Sequence, residues 1–370
     1  MTPSETLLKL DSAGLRRPKT VTLAITGACN LACHHCWVEA GEASSPGHVS
    51  VRNLRQIIKE FAALGGDGLR LTGGEPLCHP FWLDLMQFSR SLRFRTLALQ
   101  TNALLFTDDD VAALRKLDFS GLSIQISLDG ATAASHDLVR GSGAFAGTLE
   151  GIRKLVHKGL AGRISLFMTE MRHNLEEIPA LLEFADSMGI GSFSSGTLVP
   201  GGRAFDSSVV MPPGSDQYIQ LFNRYDSDQR FRELYQKIGS VAALEWRSDT
   251  AAREECCSFI ENPYITPTGK IYPCLLCHTE EFSVDGAYEK GLSAVLVEGA
   301  PRWSSLLSIS QARAESIPEC HDCPGRIFCA GGCMGRAWGS CGNLYAADDR
   351  CEVRRTIYSA RTCVEIPHCR

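Results

Sequence analysis

The chain has 370 residues, 37 of them Lys or Arg and 42 Asp or Glu, for a formal net charge of −5 and a pI of about 6.1. That balance gives no support for a nucleic-acid partner, and no run of about 18 apolar residues offers a membrane span. Hydrophobic residues at 44% and charged ones at 21% predict a folded chain long enough for two cores. Sixteen cysteines without a signal-peptide core argue against a disulfide scaffold and for metal ligation in a reducing cytoplasm.

After an N-terminal extension, residues 1–19, the first strand is expected near residues 21–26. It runs into Cys29, Cys33 and Cys36, spaced C-x3-C-x2-C on one tight loop. Soft thiolates so placed suit an iron–sulfur cluster, or zinc completed by His34 or His35. A helix follows from Val51 to Leu64, then a strand over 68–72 that leads into Gly73-Gly74-Glu75-Pro76. Two glycines permit close backbone approach to a ligand, and Glu75 offers an acceptor to an ammonium.

A strand over 95–101 ends in Gln100-Thr101-Asn102, where Asn102 either approaches a ligand or caps a turn. A helix spans Asp108 to Leu117. A strand over 121–127 then ends at Ser127 and leads to Asp129, followed by His136-Asp137-Leu138-Val139-Arg140. Arg140 suits a carboxylate ligand, or else pairs with Asp137 on the surface. Helices over Thr148–Lys158 and Leu175–Met188 alternate with strands near 162–169 and 192–198, the last ending at Leu198. Such alternation predicts parallel βαβ units with functional residues at the C-terminal strand ends. Six repeats fit an α/β fold, a partial (β/α)6 barrel over residues 20–212 that stays open on one side. Pro/Gly segments at Val199–Arg203 and Met211–Gly214 close it, and a helical bridge occupies 213–245.

No cysteine lies between Cys78 and Cys256, and twelve crowd into the last 115 residues, so 246–370 is read as a second region. Its pattern is Cys320-x2-Cys323-x5-Cys329-x3-Cys333, then Cys351. Upstream come Cys256-Cys257, Gly269-x4-Cys274 and Cys277. Paired zinc ribbons are the plain alternative.

The cysteine loop, the Gly-Gly-Glu-Pro turn and this C-terminal pattern together resemble the radical S-adenosylmethionine (SAM) enzymes that carry a SPASM extension. The resemblance covers about residues 20–355. It implies a [4Fe-4S] cluster on Cys29, Cys33 and Cys36 whose fourth iron chelates SAM. It implies two auxiliary [4Fe-4S] clusters: one on Cys320, Cys323, Cys329 and Cys351, the other on Cys274, Cys333, Cys277 and one of the adjacent pair, Cys257 being favoured over Cys256. SAM-binding positions carried over are His35, Gly73, Gly74, Glu75, Pro76, Asn102, Ser127, Asp129, Arg140 and Leu198. Gly73–Pro76 face the SAM amino group, while Ser127 and Asp129 face its ribose and carboxylate. Reductive cleavage of SAM then yields a 5′-deoxyadenosyl radical that abstracts hydrogen from the substrate. Cys78, Cys341, Cys363 and Cys369 fit no ligand spacing.

The group includes peptide maturases, sulfatase-activating enzymes and haem-pathway decarboxylases. Leu275 stands after Cys274, where the sulfatase activators carry an aspartate base, so that assignment loses weight. Oxidative modification of a ribosomally made precursor peptide ranks first, tetrapyrrole side-chain decarboxylation second. With 28 residues ahead of Cys29, a separate leader-binding protein or the SPASM surface is expected to recruit such a peptide. A flavodoxin- or ferredoxin-type protein is the expected reductant.

Overall fold

Period-two alternation builds the centre of the molecule. In a computed structural model that describes residues 1–41 and 47–365, with side chains through residue 360, six strands pair in parallel and in chain order. They are β1 (Thr20–Ala24), β2 (Gly68–Thr72), β3 (Thr96–Thr101), β4 (Leu122–Ser127), β5 (Ile164–Glu170) and β6 (Ser192–Thr197). One face of each is apolar and sealed by helices; Leu69, Leu71, Leu97, Leu99, Ile124, Ile126 and Leu166 are at most 1% exposed. The other face carries mostly polar or small side chains, with Phe167 of β5 among them, and lines the interior.

β1 and β6 do not pair, so the barrel is open. Short strands extend both edges: β7 (Gly239–Ser240) joins β6, and β8 (Tyr264–Ile265) runs parallel beside β1, with β9 (Ile271–Tyr272) antiparallel to it. The sheet and one continuous core thus run past residues 212 and 245 into the cysteine-rich region. Composition marks those points; packing does not break there.

The outer helices follow 3.6-residue spacing. In Val51–Ala63 the buried residues are Leu54, Ile57, Ile58 and Phe61, and Ser50 caps the first turn through the Asn53 amide at 3.2 Å. Burying each such side chain is worth roughly 1.5–3 kcal/mol. Asp108–Lys116 opens with a capping box between Thr107 and Asp110.

Two helices differ from the sequence reading. The one expected from Thr148 begins at Ala144, because Asp137 reaches forward and accepts from the Gly143 and Phe145 amides at 2.8 and 2.7 Å. The one expected over Leu175–Met188 opens as a 3-10 turn, Leu175–Glu177, before Ile178–Ser187. Pro179 sits in that first helical turn, where its missing N–H costs nothing. Among the described residues no helix is long and apolar enough to cross a membrane.

Candidate active site

Chain leaving β1 and β2 delivers two loops to the same end of the barrel, and they lock together. The Gly74 amide donates to Thr26 O at 2.9 Å and the Glu75 amide to Ala28 O at 2.8 Å. A Cβ on Gly73 would lie 2.4 Å from Thr26 O, and one on Gly74 2.3 Å from Ala28 O. The two glycines are therefore needed for contact with the chain's own cysteine loop, a nearer cause than the ligand approach expected from sequence. Arg203 covers the loop from the other side, its Nε donating to Cys33 O and its amide to Cys36 O, at 2.9 and 3.0 Å. The Cys29 thiol is pushed up to about 12, first by burial and then by neighbours that include Glu75, Cys33 and Cys36; burial raises Cys33 as well. Thiols this hard to ionise alone are ones that a bound metal must deprotonate.

Glu75 is 1% exposed. Oε1 accepts from Thr101 Oγ1 at 2.7 Å and the Leu77 amide at 3.1 Å, and Oε2 from the Asn102 amide at 2.8 Å. Burial raises its pKa to about 7 against these donors. Three of roughly four acceptor positions are filled, so Glu75 organises the turn and keeps one lone pair for a ligand. Pro76 is buried at the start of the 3-10 turn that follows. Asn102 takes the turn-capping alternative: its Oδ1 accepts from the Leu104 amide at 3.0 Å, and its Nδ2 ties down Asn30 of the cysteine loop at 2.8 Å.

Asp129, expected to face a ligand, is fully buried and internally committed. Oδ2 accepts from Arg140 Nε at 2.6 Å and Oδ1 from the Thr169 amide at 2.7 Å. Burial pushes its pKa up, but Arg140, His35 and the Thr169 amide outweigh that and hold it at about 2. Arg140 therefore pairs with Asp129 and not with Asp137. The guanidinium has further N–H groups; Nη2 lies 3.4 Å from His35 Nε2. His35, 3.3 Å from Asp129, is held neutral by burial with a pKa of about 4. It turns toward this pair, away from a role as zinc-completing partner to the thiols. Ser127 ends β4 half-buried on the interior face. Leu198 packs with Val139, Met171 and Val210 while its carbonyl accepts from Arg336 at 2.6 Å.

The C-terminal cysteines form two neighbourhoods. Cys320, Cys323, Cys329 and Cys351 line one small pocket together with Arg354. In the other, the Cys257 thiol lies next to that of Cys333, and Cys277 lies next to Cys274 with Cys333 nearby, all of them free thiols. Cys256 lies 3.7 Å from Cys257 but also meets Ser310 Oγ at 3.1 Å. Among the described residues no three His, Cys, Asp or Glu side chains converge at single-ion range; four thiols around a cavity suit a larger group. Cys78 is half-buried and Cys341 exposed. The side chains of Cys363 and Cys369 lie outside those described.

Several participants carry no motif in the sequence. Thr101, Thr169 and Asn30 act through partners distant in the chain. His278 follows Cys277 and stacks on Tyr272 at 4.4 Å, with Trp37, next to Cys36, edge-on at 4.3 Å. Trp37, Leu275, His278 and Arg336 line a groove of about 220 Å³ between barrel and C-terminal region.

Residues 23–185 match the model of the Radical SAM superfamily. The mycofactocin maturase MftC of Mycobacterium ulcerans is 29% identical over 336 residues, 89% of this chain and 86% of that protein. The AdoMet-dependent heme synthase of Methanosarcina barkeri is 27% identical over 356 residues, 91% of this chain and 97% of that one. The solved structure of native anSMEcpe with bound AdoMet and Kp18Cys peptide superposes with a TM-score of 0.71 at 16% identity, covering 94% of this chain and 98% of that one. At that identity the likeness concerns the fold.

Proposed function

We propose that the chain, whose residues 23–185 match the Radical SAM superfamily model, is an enzyme that oxidatively modifies a ribosomally made precursor peptide. Cys29, Cys33 and Cys36 would hold the SAM-binding [4Fe-4S] cluster. Cys320, Cys323, Cys329 and Cys351 would hold one auxiliary cluster, and Cys257, Cys274, Cys277 and Cys333 the other. The bound cluster and SAM supply the electron and the organic radical that abstracts hydrogen. The chain's own work is positioning. The Gly73–Pro76 backbone and the last lone pair of Glu75 take the SAM amino group. Arg140, aimed by Asp129, offers its remaining N–H groups to the SAM carboxylate, and Ser127 serves the ribose. A flavodoxin- or ferredoxin-type reductant completes the system.

The observation that carries this reading is the groove lined by Trp37, next to Cys36, and by Leu275, Leu276 and His278, next to Cys274 and Cys277. It joins the neighbours of the proposed SAM-cluster cysteines to those of the proposed first auxiliary cysteines along one open space, suited to a peptide. The relative named as a maturase, and the solved fold with a bound peptide, agree with it. The test is anaerobic incubation with SAM, reductant and a candidate precursor peptide. A loss of hydrogen mass from the peptide, matched by 5′-deoxyadenosine, is expected. The heme-synthase relative motivates a second reading, decarboxylation of a tetrapyrrole side chain; carbon dioxide released from a tetrapyrrole with the peptide unchanged would favour it.

A further inference from the structure

The interior face of the six strands is built from small or neutral residues, with one exception. Arg70 sits in the middle of β2 between Leu69 and Leu71, which face the helices, so its side chain projects inward. Thr22 and Ala98 flank it in register, and Ser123 lies beyond Ala98. One level higher Gln100 and Gln125 bond to each other at 3.1 Å. Among the described residues Arg70 is the single charged side chain on this face of β1–β6.

Its Nε is sealed from solvent and has no hydrogen-bond partner. Burial lowers its pKa, with no carboxylate opposing the shift. The two acidic groups at the barrel mouth are committed elsewhere, Glu75 to Thr101, Leu77 and Asn102, and Asp129 to Arg140 and Thr169. An unpaired cation in a partly desolvated interior is costly to fold around. A guanidinium also presents a planar fork that fits a carboxylate through two parallel bonds.

We propose that Arg70 is a substrate-binding residue whose guanidinium holds a carboxylate of the substrate inside the barrel, beneath the SAM loop. This deepens the reading above, which places substrate in the groove beside the cysteine loop, by adding a contact inside the barrel, and it rests on that reading only in taking the chain to act on a bound substrate. Both a peptide carboxylate and a tetrapyrrole propionate have the required chemistry.

The test uses anaerobically reconstituted enzyme saturated with SAM. Sodium 3-phenylpropionate is the probe, 3-phenylpropanamide the neutral control and sodium phosphate a second anion, at matched ionic strength. Thermal unfolding should show the carboxylate raising Tm above the amide. Arg70→Gln should weaken the probe by roughly ten- to a hundred-fold, the effect of losing bonds to a charged group, while Arg70→Lys keeps part of the response. Without probe, Arg70→Gln should leave Tm unchanged or raised, and SAM affinity unaltered. Equal response to amide and carboxylate, a response to phosphate alone, or a fall in SAM affinity in Arg70→Gln would overturn the proposal. So would a large drop in Tm of the probe-free variant, which would make Arg70 structural. Formation of 5′-deoxyadenosine is scored separately: its absence in the wild type would refute the radical reading and leave the carboxylate response standing. A peptide ending in a free carboxylate against its C-terminal amide, and a propionate-bearing tetrapyrrole against its ester, then identify the source.

Discussion

Replacing Glu75 by Gln separates the charge of this buried carboxyl from its hydrogen bonds. Its pKa rises from 4.5 to about 7 in the folded chain, a penalty of roughly 3 kcal/mol on the ionised form at high pH. A group whose folded pKa is raised binds protons more readily when native, so it adds stability at low pH and loses it as pH climbs from 4.5 through 7. Between pH 8.5 and pH 6 the wild type should gain roughly 1 kcal/mol from this group alone. Gln cannot titrate and should lack that gain. Its amide nitrogen meets the Asn102 amide, whose N–H now donates to Oε2 at 2.8 Å, at a cost of about 1–3 kcal/mol. At pH 8.5 the lost ionisation penalty is at least as large as this new clash, so the Gln variant should be the more stable there, and the two proteins should draw together by pH 6. Buried His35 and His136, both lowered to about 4, oppose folding below pH 6.5 in both proteins and drop out of the difference. Anaerobic denaturant titrations at several pH values measure it. Parallel pH curves for the two proteins would refute the reasoning. SAM affinity adds a check, since Glu75→Ala should weaken it about ten- to a hundred-fold.

Asp129→Asn strands the buried Arg140 charge and should cost about 3–5 kcal/mol, read by denaturation, with partial recovery on adding Arg140→Met. Because Asp129 titrates at about 2 in the fold against 3.8 outside it, its contribution should persist above pH 3.8 and fade as pH falls toward 2. Gly74→Ala places a methyl against Ala28 O and should displace the cysteine loop, lowering iron retention and SAM binding while the C-terminal region keeps its iron. Wild-type enzyme should hold about 12 iron per chain after reconstitution, and Ala at Cys29, Cys33 and Cys36 together about eight; stoichiometric zinc without labile sulfide would contradict this. Single Ala changes at Cys256, Cys257 and Cys277 should lower iron at Cys257 and Cys277 and spare it at Cys256, whose thiol meets Ser310.

Local sequence determined the strands, because period-two alternation and βα spacing need nothing distant. It also located the cysteine loop and the Gly-Gly-Glu-Pro turn, whose residue types are bound to short-range geometry. Helix starts were less legible where the deciding acceptor was an aspartate several residues upstream, as at Asp137. Tertiary structure alone decided what each polar side chain does. Asp129 faces Arg140 and Thr169 because a carboxylate taken out of water needs donors from other elements, and only the folded sheet brings Thr169 beside it. Asn102 became a cap because its neighbours saturate it, and the glycine pair is explained by the backbone of Thr26–Ala28. Arg70 reads in the chain as one more charge in a strand; the closed packing of Leu69 and Leu71 turns it inward. Side-chain direction follows from alternation, but partnership depends on which strands meet, and that is fixed only when the barrel is assembled.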